Sequence, residues 1–328
     1  MDINKVSDVS LSSLLFNSKK SVKIEKTEGK DFTFAQEDKS NLNNTQKNPK
    51  ELFSSEKQTI KTQENLGSRE ISTQNTNTNR FDDVIFTSLI EGSKTLKTGS
   101  KGSDVQVIQE TLGDMGFYIG DTADGKFGPK TALAIKNFQS SRKLPETGIV
   151  DKSTLQELIN VAPPKGKKLW EAEIKDKNII PSNDIGNGKK AKVVIDLSEH
   201  RLFLYNSDNT IRKVYSVASG KGGWADGRGG ETQEGIKVIN SKNNDPTEVS
   251  KKLWPETQGR AFGTRLLDLS WIDPKTGKLK ASGEELHGTY ARDSVGTNAS
   301  HGCMRMLNED IEEVFELLKK GDLVKVQK

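Results

Sequence analysis

Apolar positions follow four different regimes along this chain. Up to about residue 80, Lys, Asn, Ser, Thr, Gln and Glu dominate with no sustained period, which reads as a disordered polar tail. Two apolar islands interrupt it, Val9 to Phe16 and Phe81 to Ile90. The second has helical spacing and is expected either to cap the next domain or to dock a partner. From 94 to 160 the period is helical. Ser103-x-x-Gln106 predicts a capping box, Val105, Ile108, Leu112 and Met115 form one inner face, and Gly116 is the stop. Gly128-Pro129 opens a second helix with proline at its first position, lined by Thr131, Ala134, Ile135 and Phe138. Asp151 caps a third, with Leu155, Leu158 and Ile159 inside. Residues 161–188 read as a linker, with Pro163-Pro164, mixed charge, Pro181 and a Gly-Asn-Gly turn; Trp170 is its one residue suited to packing on a domain face.

From Lys189 the pattern changes to strands. Val193 to Leu197 and Leu202 to Tyr205 flank Ser198-Glu199-His200 as a hairpin, with His200 expected to face solvent. Ile211 to Ser219, Gly235 to Asn240, Arg265 to Ile272 and Leu323 to Val326 read as further strands, and Glu309 to Lys320 as one amphipathic helix. Residues 241–285 form a long insertion carrying Trp254, Phe262 and Trp271, with Tyr290 just beyond; it is expected to wall a cleft. The expected fold is multidomain α+β: a disordered tail at 1–88, a small three-helix bundle at 89–160, a linker at 161–188 and a mostly β domain at 189–328.

Composition changes this picture little. The 328 residues suit about two domains. A hydrophobic share of only 32% and a mean hydropathy of −0.69 agree with part of the chain staying unfolded. Fifty Lys and Arg against 46 Asp and Glu leave +4, which favours an anionic polymer but lacks the clustered basic face of a nucleic-acid binder. No stretch approaches the roughly 18 apolar residues of a membrane span. The first residues carry neither a basic n-region nor a secretory h-region, so the export route stays open.

The candidate chemistry is concentrated. The one cysteine, Cys303, and two of the three histidines, His287 and His301, lie within 17 positions. A thiolate needs a base or an electropositive setting, and imidazoles two and sixteen residues earlier offer one. A lone cysteine is commonly a small buried hydrophobe, but Cys303 follows the turn-prone Ser300-His301-Gly302 rather than an apolar run. One Cys and two His could also be three zinc ligands. The short Cys-Cys or His-His pairs of zinc sites are missing, so neither metal nor cofactor is expected. Gly302 permits a sharp turn, and consecutive amides in such a turn can donate to charge developing on an attacked carbonyl. The glycine-rich loop Gly220 to Gly230 lacks the G-K-S/T ending of a phosphate loop and reads as a mobile hairpin loop beside the site.

His287-Gly288-Thr289 followed by Ser300-His301-Gly302-Cys303-Met304-Arg305 resembles the signature of the L,D-transpeptidase (YkuD-like) catalytic domain of peptidoglycan enzymes. V-V-I-D-L-S-E-H-R-L-F-L-Y and T-Q-E-G-I-K-V-I resemble its N-terminal half. Gln233-Glu234 departs from it, since many relatives have proline there. The resemblance implies a mostly β, sandwich-like domain in which Cys303 is the nucleophile and His287 its base, oriented by the Gly288 carbonyl. It further implies that His301 and Ser300 shape the pocket, that amides near Gly302 and Cys303 form an oxyanion hole, and that Arg305 braces the loop or meets a substrate carboxylate.

Residues 96–109, Asp124-Gly125-Lys126-Phe127-Gly128, Thr131, Phe138-Gln139 and 147–151 resemble the peptidoglycan-binding domain 1 family, a three-helix wall-binding module. Asp124, Phe127 and the loop glycines are its candidate glycan contacts. Asp121, Asp124 and Gly125 hint at a calcium loop but lack the twelve-position ligand pattern. Together the resemblances imply attack of Cys303 on a tetrapeptide stem and transfer of the acyl group to an amine, giving a 3→3 cross-link in the cell envelope. L,D-carboxypeptidase action and D-amino-acid exchange share the same thioester. The polar tail would also suit delivery machinery carrying an effector to another cell's wall.

Overall fold

The structure, a computed structural model, describes residues 80–328 apart from 83, 175, 223–229 and 274. The tail and the island at Val9 to Phe16 lie outside the described residues, as does most of the Gly220 to Gly230 loop. The second island folds: a 3-10 turn at Val84–Phe86 runs into α1, Thr87–Glu91, and Phe81, Phe86 and Leu89 are buried. These residues, ahead of 89, pack with the helical unit because their apolar side chains have helices to bury against.

Three longer helices follow, α2 at Ser103–Asp114, α3 at Pro129–Ser141 and α4 at Lys152–Val161. Their inner faces hold the expected Val105, Ile108, Leu112, Ala134, Ile135, Phe138, Leu155 and Leu158. Pro129 takes the first position of α3, and Asp151 caps α4 by accepting the Thr154 amide at 2.8 Å. The capping box does not form. Gly102, at φ 141°, is the residue before α2, which puts Ser103 inside the helix, and Gln106 bonds to Glu110 instead.

Eight strands make one sheet in the order β3-β2-β1-β8-β4-β5-β6-β7. They are β1 Val193–Asp196, β2 Arg201–Tyr205, β3 Ile211–Ser216, β4 Gly235–Asn243, β5 Leu266–Ile272, β6 Leu279–Thr289, β7 Met304–Leu307 and β8 Leu323–Gln327. Pairing is antiparallel except for β1 with β8 and β6 with β7. The sheet curls until its two ends meet. Just past β3, Ala218 and Arg305 of β7 exchange both backbone hydrogen bonds, at 2.8 and 2.9 Å. A short helix α5, Thr247–Leu253, precedes β5, and α6, Asn308–Leu317, packs Ile311, Val314 and Phe315 into the sheet core. Among the described residues no helix is long and apolar enough to cross a membrane.

The expected insertion at 241–285 is thus only partly a wall. Residues 266–272 and 279–285 are sheet, and the 11-residue strand β6 carries His287. The linker also packs: Leu169 and Ile179 join a core that runs from the helices to Val194, Phe203 and Val214 of the sheet. Arg201 lies within it, 4.3 Å over the Phe117 ring, donating to the Met115 carbonyl and to Glu199. The adjacent His200, expected in solvent, is 7% exposed at φ 55°. The helical unit covers this turn, which a hairpin reading by itself has no means of showing.

Candidate active site

Register brings the key side chains together. In the parallel pair of β6 and β7, Leu286 faces Met304 and His287 faces Arg305, which sets Glu285 level with Cys303 at the mouth of β7. Alternate strand residues share a face, so Glu285 and His287 stand on the side that Cys303 and Arg305 present. His287, His301, Cys303 and Arg305 line one cavity of about 590 Å³. Trp254, Arg260 and Phe262 from residues 244–265, together with Tyr290, complete its wall, whereas Trp271 lies elsewhere, against Lys237.

His287 is 2% exposed, with its ring edge-on to Phe262 at 5.0 Å. Its Nδ1 meets the Gly288 carbonyl at 2.6 Å, so the neutral ring carries its proton there and leaves Nε2 as the basic nitrogen. The Phe262 backbone also hydrogen-bonds to the ring. Burial first, then the neighbouring Arg305, hold the imidazole down to about 3, so it is neutral across the physiological range. Gly288 has no space for a side chain: a Cβ would lie 2.3 Å from Asn308 Oδ1.

Around Cys303 a set of short polar links fixes the turn. Fully buried Ser300 accepts the Gly302 amide at 3.1 Å and donates to the Cys303 carbonyl. Thr232 donates to the Gly302 carbonyl at 2.7 Å and accepts the Gly220 amide at 2.8 Å. The expected oxyanion role changes in one respect: the Gly302 amide is already engaged, which leaves the Cys303 amide as the candidate of that pair. His301 tilts over Trp254, with ring centroids 4.9 Å apart, and Arg305 reaches the Ala299 carbonyl at 3.4 Å.

The thiol is half-buried and has an unexpected partner. Cys303 Sγ donates to Glu285 Oε2 at 2.7 Å, and among the described residues no hydrogen bond joins it to His287. Burial, followed by the Glu285 charge, pushes the thiol well above its ordinary value. Burial likewise raises Glu285, with Asp268 and Glu284 adding to it. Sequence reasoning missed Glu285. The available signal was its place two residues before His287, on the same strand face.

The glycan candidates separate. Phe127 is 2% exposed in the helical core and is withdrawn as a contact. Asp124 lines a second cavity of about 600 Å³, together with Asp121, Lys130 and Asp293. Its carboxylate accepts the Lys126 amide and the Gln109 side chain, the bonding of a turn. Among the described residues no cluster of three or more His, Cys, Asp or Glu could hold a metal ion.

Residues 190–326 match the family model described as the L,D-transpeptidase catalytic domain, YkuD, and residues 101–158 the one described as "Putative peptidoglycan binding domain". The chain is 31% identical over 119 residues to "Putative L,D-transpeptidase YqjB" of Bacillus subtilis, covering 36% of this chain and 60% of that protein. It is 30% identical over 129 residues to "Protein disulfide isomerase pTAC5, chloroplastic" of Arabidopsis thaliana, covering 33% and 32%. The chain thus spans less than two thirds of the length of these relatives. A crystal structure of an L,D-transpeptidase from Xylanimonas cellulosilytica superposes at TM-score 0.42 and 22% identity, over 71% of this chain and 97% of that one. Family models thus place an L,D-transpeptidase catalytic domain, YkuD, over the sheet and a peptidoglycan-binding domain over the helical unit.

Proposed function

We propose that this protein is a peptidoglycan acyltransferase that works through a Cys303 thioester. The observation that carries the reading is one thiol just before β7 and one neutral imidazole on the neighbouring β6, both lining a single cavity inside the L,D-transpeptidase domain. In the reaction His287 Nε2 takes the thiol proton, and Sγ attacks the carbonyl of the third stem residue. Charge on that oxygen falls to the Cys303 amide. The imidazolium then protonates the departing amine of the terminal D-amino acid, leaving a thioester on Cys303. Attack by an amine of a neighbouring stem restores the thiol and forms a 3→3 cross-link. Water in place of the amine gives a shortened stem, and a free D-amino acid gives exchange.

Arg260 and Arg305 in the cavity wall suit the carboxylates of a stem peptide, and the helical unit would hold the glycan-bearing polymer near the cavity. The site of action would be the cell envelope. Mass analysis of muropeptide products tests the acceptor. Dimers joined 3→3 are expected with tetrapeptide substrate alone, and accumulation of tripeptide monomers only would assign the protein to carboxypeptidase chemistry. No change in any muropeptide would overturn the reading.

A further inference from the structure

The residue in contact with the reacting sulfur lies outside the H-G-T and S-H-G-C-M-R runs that mark the domain. Glu285 belongs to a row of polar side chains crossing the sheet. Asn240 of β4 donates to Asp268 of β5 at 3.0 Å, Asp268 pairs in register with Glu285 of β6, and Glu285 accepts from Cys303 at 2.7 Å. Glu284, the next residue back, points the other way into a buried pair with Lys237. The carboxylate nearest the sulfur is therefore not neutralised by that lysine.

We propose that Glu285 holds Cys303 as a protonated resting thiol, and that the nucleophile forms only when an occupant of the cavity draws Sγ across to His287. Two steps of strand geometry support this. Cys303 is level with Glu285, while His287 lies one pleat further along β6, about 6.7 Å away along the strand. Changing partner thus requires Sγ to move to another staggered χ1 well. A carboxylate accepting an S–H hydrogen bond favours the thiol over the thiolate, whereas an imidazole can take the proton and then, as imidazolium, stabilise the thiolate beside it. The remaining charged groups near the sulfur do not undo the effect: His287 is neutral, and Arg305 acts in the opposite direction but ranks below both burial and Glu285. No bond to carbon changes in this step. The proton stays on sulfur until Sγ meets Nε2, and from there it follows the course already given.

The inference rests on the proposed acyl transfer for its purpose, but its test needs no peptidoglycan. Cys303 is the only thiol in the chain, so the pH dependence of its alkylation by iodoacetamide in the full-length protein reports on this group alone. In Glu285→Gln the midpoint is expected to fall by a unit or more. Each unit gives about tenfold more thiolate, offset by the lower nucleophilicity of a less basic sulfur, for a net acceleration of about threefold at pH 7. Glu285→Asp should stay near wild type because the charge remains. Glu285→Thr, a strand-favouring residue without charge, should behave like Gln and serves if Gln fails to fold. An unchanged or raised midpoint in the folded uncharged variants would overturn the proposal. A lowered midpoint in a protein that never acylates on muropeptides would count against the proposed function and leave the role of Glu285 standing.

Discussion

Gly220 is where a single methyl group should separate folding from catalysis. A Cβ there would lie 2.4 Å from the Gly230 carbonyl oxygen and 2.5 Å from both the nitrogen and Cα of Gly302, all backbone atoms. Ordinary contact begins at 3.4 Å, so the two segments must part by about 1 Å. Gly302 is bonded to Ser300 and Thr232 and directly precedes Cys303, so the displacement falls on the nucleophile and its amide. Overpacking of this kind costs about 1–3 kcal/mol, or roughly 2–4 °C in Tm per kcal/mol for a folded unit of about 150–250 residues. Misplacement by about 1 Å costs on the order of a hundredfold in rate. Gly220→Ala is therefore expected to fold, to melt a few degrees lower, and to lose about two orders of magnitude in acylation by a carbapenem, followed by intact mass. Gly230→Ala is the matched control, because a Cβ there meets nothing within 4 Å. Acylation of Gly220→Ala within threefold of wild type would refute the reasoning.

His287→Gln should lower carbapenem acylation by about 10²–10⁴-fold while leaving Tm within a few degrees, as the loss of a general base does; normal acylation would assign the proton elsewhere. His200 is held down to about 4, chiefly by burial, with Asp196 and Glu146 opposing. Its unfolded value is about 6.5, so the unfolded chain binds the extra proton first. Stability is then full above pH 6.5 and falls as pH drops toward 4, by about 3 kcal/mol from this group. His200→Asn, which tolerates the positive φ, should flatten that loss in urea melts at pH 7 and pH 4.5, and an unchanged pH slope would contradict it. Asp151→Ala removes the cap on α4 and should cost about 1 kcal/mol in the same assay, without changing acylation.

Much of this architecture was legible because local spacing and burial agree. The inner faces of α2, α3 and α4, proline at the start of α3 and the alternation of β1 and β2 all lie on single elements. What escaped depends on neighbours distant in sequence. His200 looked like an exposed turn residue because the helices that cover it come before the linker. Strand β6 was hidden inside an apparent insertion: Lys280, Ser282 and Glu284 look solvent-facing, yet Glu284 is buried against Lys237. Phe127 looked like an exposed loop aromatic and is core. Cys303 and His287 stand out in the sequence because rare residue types cluster there, and both line the one cavity described above. Glu285 was missed because a glutamate on a strand is ordinary until the register sets it beside a sulfur.

The central claim is that Cys303 carries the acyl group, and intact-protein mass after mixing with tetrapeptide muropeptides tests it most directly. The account predicts a mass increase equal to the stem acyl group less its terminal residue, reversible by hydroxylamine and absent from Cys303→Ala. No adduct on the wild-type protein under conditions where muropeptides are converted, or an equal adduct on Cys303→Ala, would contradict it.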